Sequence, residues 1–489
     1  MKEKSLRSKT LSGVKWTGIN TAGISLFQIL QVAVLARFLA KEDFGLVAMT
    51  MVVVTFTVVF VEMGLYAAIF HCQDATRKES SSIFWLNILN AILLYVLLIV
   101  AAPFVARFYE EPELQRLIPL LGSNLMLLAL GGQQRITMQK EFRFKALAII
   151  ELSAYFTGFV VSAIAAVRGW GAYSLVVGTL TTSLIANICY FILNQRVNPL
   201  MWHFRPADTK RFVRIGAYNL GNNVLDFFSR ETDILIIGKL LGSETLGLYS
   251  LAKQVVVKIY TMINPLIMTI LNPLLSSVQQ ETARLRSLLL QAVQINASVY
   301  ISIYLFVVLL SSEVLTILFG AAYSSGYIVL SFLAVSYVSQ AIGNPAMSLQ
   351  IATGRTDIGF RWTLMRVLVT PLVILLAAGG GINMVAMALA LLSAMLIIPH
   401  WRMQIRAMAG IKLSEYLSRF ARTFAVFVAI TATWMLLAHL IPTETGLVAG
   451  LIIKTTVGLA IYITALWLFD RQSVLKLKNI ILTRKLTID

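Results

Sequence analysis

Apolar stretches of about 20 residues follow one another along the chain, separated by short runs of charged residues, Gly, Pro and Asn. A hydrocarbon layer roughly 30 Å thick takes about 20 helical residues to cross, so each stretch reads as a transmembrane helix. The pattern predicts about fourteen spans by that criterion, over residues 12–35, 45–70, 83–105, 114–132, 147–167, 171–194, 212–241, 245–275, 287–310, 327–352, 362–378, 382–401, 422–440 and 446–469. Segments of this length exclude a β-barrel, whose strands would show short alternation instead. The expected fold is therefore an all-α polytopic membrane protein.

The same pattern repeats. ARFLAKEDFGLVAM from Ala36 returns 202 positions later as GKLLGSETLGLYSL from Gly238, without a gap. Arg37 meets Lys239, Glu42 meets Glu244, and Gly45 meets Gly247. The register pairs Asn20 with Asn222, and Gln28 and Gln31 with Arg230 and Asp233. An even number of spans per copy makes the copies parallel, with a working cleft expected between them. This predicts a six-helix lobe over 1–200, a second over 201–408, and two added helices with a basic cytoplasmic tail over 409–489. The linker QRVNPLMWHFRPADTKRF, with Pro199 and Pro206, is the expected boundary.

Composition narrows the class. With 489 residues, 58% hydrophobic, 13% charged and a mean hydropathy of +0.79, the chain does not have the make-up of a soluble globular protein. Its net charge of +18 would suit nucleic acid if it were local. Instead most of the Lys and Arg fall in alternate loops and at the two ends, and only Arg37, Lys41, Arg107, Arg116, Arg168 and Lys239 occupy the opposite loops. The positive-inside rule then puts both termini in the cytoplasm and predicts contact with membrane lipids, not nucleic acid. The basic start MKEKSLRSKTLSGVKW precedes an apolar run too long for a signal peptide and reads as an uncleaved first helix. Cys72 and Cys189 have neither metal nor redox spacing, and the four histidines form no metal motif.

Polar residues inside the spans carry the candidate chemistry. Asn219, Asn222, Asn223, Asp226, Arg230 and Asp233 recur every three or four residues and line one face of the seventh span. Charge at bilayer depth is costly unless paired or wet, so this face should look into a cavity or the bundle interior. The eighth span adds Lys253, expected level with Asp233, and Lys258, expected near Arg230 and Asp226. Two readings stand side by side: a neutral ion-pair network locking two helices, or Arg230 and Lys258 offering donors to a phosphate in the cleft. The first span's matching face, Thr17, Asn20, Thr21, Gln28 and Gln31, is polar but uncharged. Glu62 and Glu151 have no basic neighbour at helical spacing. Glu62 is either a candidate for ion coupling or a neutral carboxyl bonded to a nearby backbone carbonyl, and for Glu151 the second reading is the better one. Asn-Pro pairs at 264–265, 272–273 and 344–345 are candidate hinges. No Walker loop, GxSxG or dinucleotide fingerprint is present, so the expected energy source is a proton or sodium gradient or the membrane potential, with no cofactor.

The runs RFLAKEDFGLVAM, MGLYAAI and RETDILIIGKLLGSETLGLYSLAKQ resemble the polysaccharide exporters of the multidrug/oligosaccharidyl-lipid/polysaccharide superfamily, in particular the Wzx-type branch. The resemblance covers most of the chain and fades in the last two helices. It implies a flippase, not an enzyme, carrying undecaprenyl-diphosphate-linked oligosaccharide across a bacterial inner membrane, with other polysaccharide assembly proteins as further partners. On that reading Arg230 and Lys258 hold the diphosphate, while Asn219, Asn222, Asn223, Gln28 and Gln31 serve the sugars. Asp226, Asp233 and Lys253 act in ion coupling or ion pairing. An ion-coupled exporter of small molecules, with Glu62 or Asp226 as the coupling carboxylate, is the competing expectation.

Overall fold

A computed structural model describes residues 2–62, 69, 76–421, 423–425 and 456. These residues are helical, with no strand among them. Eleven segments among them are long and apolar enough to cross a membrane, so the chain is a multi-pass membrane protein. The two helices expected over 422–440 and 446–469 lie almost wholly outside the described residues, as do Cys72 and most of MGLYAAI.

Two compact units emerge, Met1–Ser250 and Leu251–Asp489. The first is built from α1 (Lys2–Leu35), α2 (Lys41–Glu62), α3 (Arg77–Tyr109), α4 (Leu114–Gly122), α5 (Asn124–Lys140), α6 (Phe144–Val167), α7 (Ala172–Gln195) and the first arm of α8 (Pro206–Ser277). Within it α6 packs along α7 and α1, and α5 packs along α7. Local chemistry sets the ends: Thr76 and Glu79 form a reciprocal capping box that starts α3, and Glu110 in the left-handed region (φ 61°) ends it.

The 72 residues of α8 would span about 108 Å if straight, several times a bilayer core. They are not straight. Gly242 (φ 78°, ψ 176°) interrupts the helix, and Tyr249 Oη donates to Asp233 Oδ2 at 2.6 Å across the resulting hairpin. An L side chain rarely adopts that φ, which is why glycine stands there. The spans expected over 212–241 and 245–275 leave residues 242–244 for the turn between them, and Gly242 is the first of these.

The duplicated turns touch one another. Both fall within the first unit, and each buries its glycine against the other's backbone: a Cβ on Gly45 would sit 1.9 Å from the Ser243 carbonyl oxygen, and one on Gly247 would sit 1.8 Å from that of Lys41. Since Gly45 is equivalent to Gly247 and Lys41 to Ser243, the contact is reciprocal, as a local twofold axis requires. Charge breaks the symmetry, because Lys41 pairs with Glu244 at 3.8 Å and its equivalent Ser243 carries no charge.

Lys239 reaches Glu110 Oε1 at 2.7 Å and lies over the Phe108 ring. Two of the six basic residues assigned to the outer loops, Lys41 and Lys239, thus meet carboxylates. The hydrogen bond from Lys239, with its charge, holds the Glu110 carboxyl below its ordinary pKa. A depressed carboxylate pKa stabilises the fold above the ordinary carboxylate range, and that contribution is lost as pH falls through the folded-state value. Lys239→Gln should therefore melt below the parent at neutral pH, with the gap closing in acid. A gap unchanged from pH 7 to pH 3 would refute the pairing.

The second unit contains the remainder of α8, α9 (Thr282–Leu309), α10 (Ser311–Phe319), α11 (Tyr327–Gly343), α12 (Pro345–Thr353), α13 (Thr356–Ala378) and α14 (Gly381–Met395). The chain then runs through a π-helical stretch at Trp401–Arg406. The Asn-Pro asparagines interlock here. Asn344 Nδ2 donates to Asn264 Oδ1 at 2.7 Å, Tyr260 Oη to Asn344 Oδ1 at 2.9 Å, and Ser348 Oγ to Asn272 Oδ1 at 2.5 Å. These amides join neighbouring helices, and Pro345 opens α12, where a missing N–H costs nothing.

Candidate functional site

The polar face expected on the seventh span lies on the first arm of α8. Asn222 and Asn223 are exposed, and the side chain of Asn219 lies outside the described residues. Arg230 Nε meets Asp226 Oδ2 at 2.9 Å, one helical turn away, with side chains 68% and 56% exposed. Asp233 is half-buried and held by Tyr249. Lys253 and Lys258 are half-buried on the second arm. Opposite the Asp226 stretch, Phe56 of α2 packs on Phe227 and Phe228, which fixes the back of this arm against apolar rings. Glu62 is the last residue of α2, and its side chain lies outside the described residues.

The uncharged face of α1 is engaged along α6. Asn20 Nδ2 donates to Glu151 Oε2 at 2.5 Å, Gln28 Nε2 to Tyr155 Oη at 3.4 Å, and Gln31 Nε2 to Ser162 Oγ at 3.1 Å. All three donors are half-buried, forming a polar seam between the two helices.

Glu151 corrects the sequence reading. It is not bonded to a backbone carbonyl and it has a cationic partner: Arg135 Nε donates to its Oε1 at 2.8 Å. Tyr190 Oη donates to the same oxygen at 2.8 Å, and Asn20 completes the set. The carboxylate is 9% exposed and Arg135 is 44% exposed. Four helices, α1, α5, α6 and α7, converge to build this cluster, which composition alone left unseen. The span expected over 114–132 stops three residues short of Arg135. The stretch stays helical to Lys140 because Gln133 and Gln134 are buried, and Gln133 Nε2 bonds the Ser80 carbonyl at 2.9 Å.

The chemistry available is hydrogen bonding and charge inside the membrane. A family model described as polysaccharide biosynthesis protein matches residues 34–328. The chain belongs to that family. It is 28% identical to the teichuronic acid biosynthesis protein TuaB of Bacillus subtilis over 362 residues, covering 73% of this chain and 74% of TuaB. It is 26% identical to the lipopolysaccharide biosynthesis protein WzxC of Escherichia coli, covering 74% of each. Among solved structures, the lipid II flippase MurJ in an inward closed conformation aligns with a TM-score of 0.74 at 12% identity, over 94% of this chain and all of MurJ. That likeness establishes a shared fold. The resemblance read from the repeated segments is thereby borne out at the level of family.

Proposed function

We propose that the protein is a flippase for undecaprenyl-diphosphate-linked oligosaccharide repeat units, moving them from the cytoplasmic to the outer leaflet of the bacterial inner membrane. The observation that carries this reading is the match to a polysaccharide biosynthesis family over residues 34–328, in a chain whose fold is shared with a protein described as a lipid II flippase. Both termini lie in the cytoplasm on this reading, following the loop distribution of Lys and Arg. The polar arm of α8, exposed at Asn222, Asn223, Asp226 and Arg230, is a wet surface suited to sugar hydroxyls and phosphate. Arg230 takes phosphate and the asparagines take the saccharide. The prenyl chain stays in lipid, where it costs no desolvation.

Alternating access provides the cycle, driven by a proton or sodium gradient or by the membrane potential. The reciprocal Gly45 and Gly247 contact is the outer closure of one state. Deleting the gene in its host should cause the lipid-linked repeat unit to accumulate on the cytoplasmic side while drug susceptibility stays unchanged. Normal surface polysaccharide with no accumulated intermediate would refute the flippase reading. Drug hypersensitivity without that accumulation would favour a small-molecule exporter.

A further inference from the structure

The geometry points to a second phosphate-binding site, at Arg135 in the first unit, that takes the diphosphate of the lipid-linked substrate at the cytoplasmic entrance; it rests on the flippase reading above. Arg135 lies five residues before the end of α5 at Lys140, and Glu151 lies seven residues after the start of α6 at Phe144. At about 1.5 Å per residue the pair sits roughly 7 to 10 Å inside the α5–α6 turn. On the proposed orientation that turn is cytoplasmic. The guanidinium therefore stands just beneath the inner headgroups, the depth at which a lipid diphosphate arrives.

Two observations indicate a ligand. Glu151 is nearly fully buried and accepts from Arg135, Tyr190 and Asn20, whereas the Arg135 side chain remains 44% exposed within a membrane-spanning helix. An Arg side chain 44% exposed within a membrane-spanning helix cannot turn its charged end to acyl chains cheaply, so its open part borders polar space. Glu151 takes the Nε donor, one of five N–H groups, and fixes the plane of the fork. Independently, Asn20 Oδ1 is buried with no hydrogen-bond partner. An unfilled acceptor near an oriented guanidinium suits a ligand that carries a donor beside its anion, such as the first sugar hydroxyl next to the diphosphate.

Arg135 is thus the residue that touches phosphate, and Glu151, Tyr190 and Asn20 position it. The Arg135 and Glu151 pair is neutral when empty. The site attracts phosphate through a directed fork, not through net charge, so a substrate is oriented without being trapped.

The test is equilibrium binding of radiolabelled undecaprenyl diphosphate to the full-length protein in phosphatidylcholine nanodiscs. Measured in an Arg230→Ala background, so that the α8 cation does not mask the loss, the double variant Arg135→Gln/Glu151→Gln leaves no lone buried charge and should bind at least tenfold more weakly than that background. Arg135→Lys, which keeps the charge but loses the fork, should bind about fivefold more weakly, and it replaces the double variant if that protein does not fold. Inorganic pyrophosphate should compete only at far higher concentration, and adding phosphatidylglycerol should leave the difference between proteins intact. If the folded double variant, or Arg135→Lys, binds like the Arg230→Ala background, the site assignment falls and the flippase reading stands. If the parent itself does not bind the lipid diphosphate, both fall. If phosphatidylglycerol erases the difference, or pyrophosphate competes as well as the lipid, the assignment to a lipid-linked diphosphate is overturned.

Discussion

Gly45→Ala and Gly247→Ala should each lower stability by about 1–3 kcal/mol, the usual cost of forcing an extra methylene into a close-packed contact. The physical reason is on the backbone. A methyl at either position would lie under 2 Å from a carbonyl oxygen of the opposing turn, and ordinary contact begins about 1.5 Å further out. A backbone carbonyl cannot rotate aside as a flexible side chain can, so the two helix starts must separate. The reciprocal geometry demands that the two variants behave alike. Combining them should cost less than the sum of the single changes, because the first already opens the shared contact. Gly18→Ala and Gly221→Ala provide the contrast: both are helical glycines with nothing within 4 Å of an added Cβ. There the lower backbone entropy of Ala in the unfolded chain should raise stability by about 0.4–1 kcal/mol. Thermal unfolding of the purified protein separates the two sets, and equal melting temperatures across all four variants would sink the argument. Transport should fail in the first set as well, since a closure that cannot seat leaves the outer side leaky.

The equivalence of those glycines was legible in the sequence, because a gapless repeat aligns residues one to one. Their contact was not, because a repeat fixes which residues correspond and says nothing about which of them meet. The helix pattern and the outer turn near Gly242 were also readable, since 20-residue apolar runs and a glycine at a break are local signals. The Arg135 and Glu151 pair escaped for the opposite reason. Its members lie on different helices, one of them inside a polar decapeptide, and its third partner, Asn20, is 131 positions from Glu151. The expected span ended at residue 132, whereas the helix runs on to Lys140 with Gln133 and Gln134 buried. Gln28 and Gln31 illustrate the same limit: their spacing gave a polar face, and only packing revealed that α6 lies alongside it.

Arg230→Ala should leave stability within about 0.5 kcal/mol of the parent and yet abolish transport. The pair it forms with Asp226 is an i,i+4 contact between side chains more than half exposed, and such pairs contribute about 0.3–0.5 kcal/mol at most. The Asp226 contact by itself is therefore a weak lock for Arg230. Its long side chain, fork geometry and place on a polar face beside Asn222 and Asn223 suit phosphate instead. The control is Arg284→Ala, where Glu281 is 3.6 Å away and both partners are similarly exposed. That change should be as mild for stability and harmless for transport. Asp226→Ala separates the roles further, because removing the carboxylate leaves the Arg230 cation in place and should retain transport. Unfolding measurements combined with a flipping assay in proteoliposomes decide between the readings. If Arg230→Ala transports normally, phosphate is held elsewhere; if it unfolds several kcal/mol more easily, the network is structural after all. The charges that distinguish the second copy of the repeat from the first would then serve packing, and the search for the substrate would move to Asn222 and Asn223 on the same face.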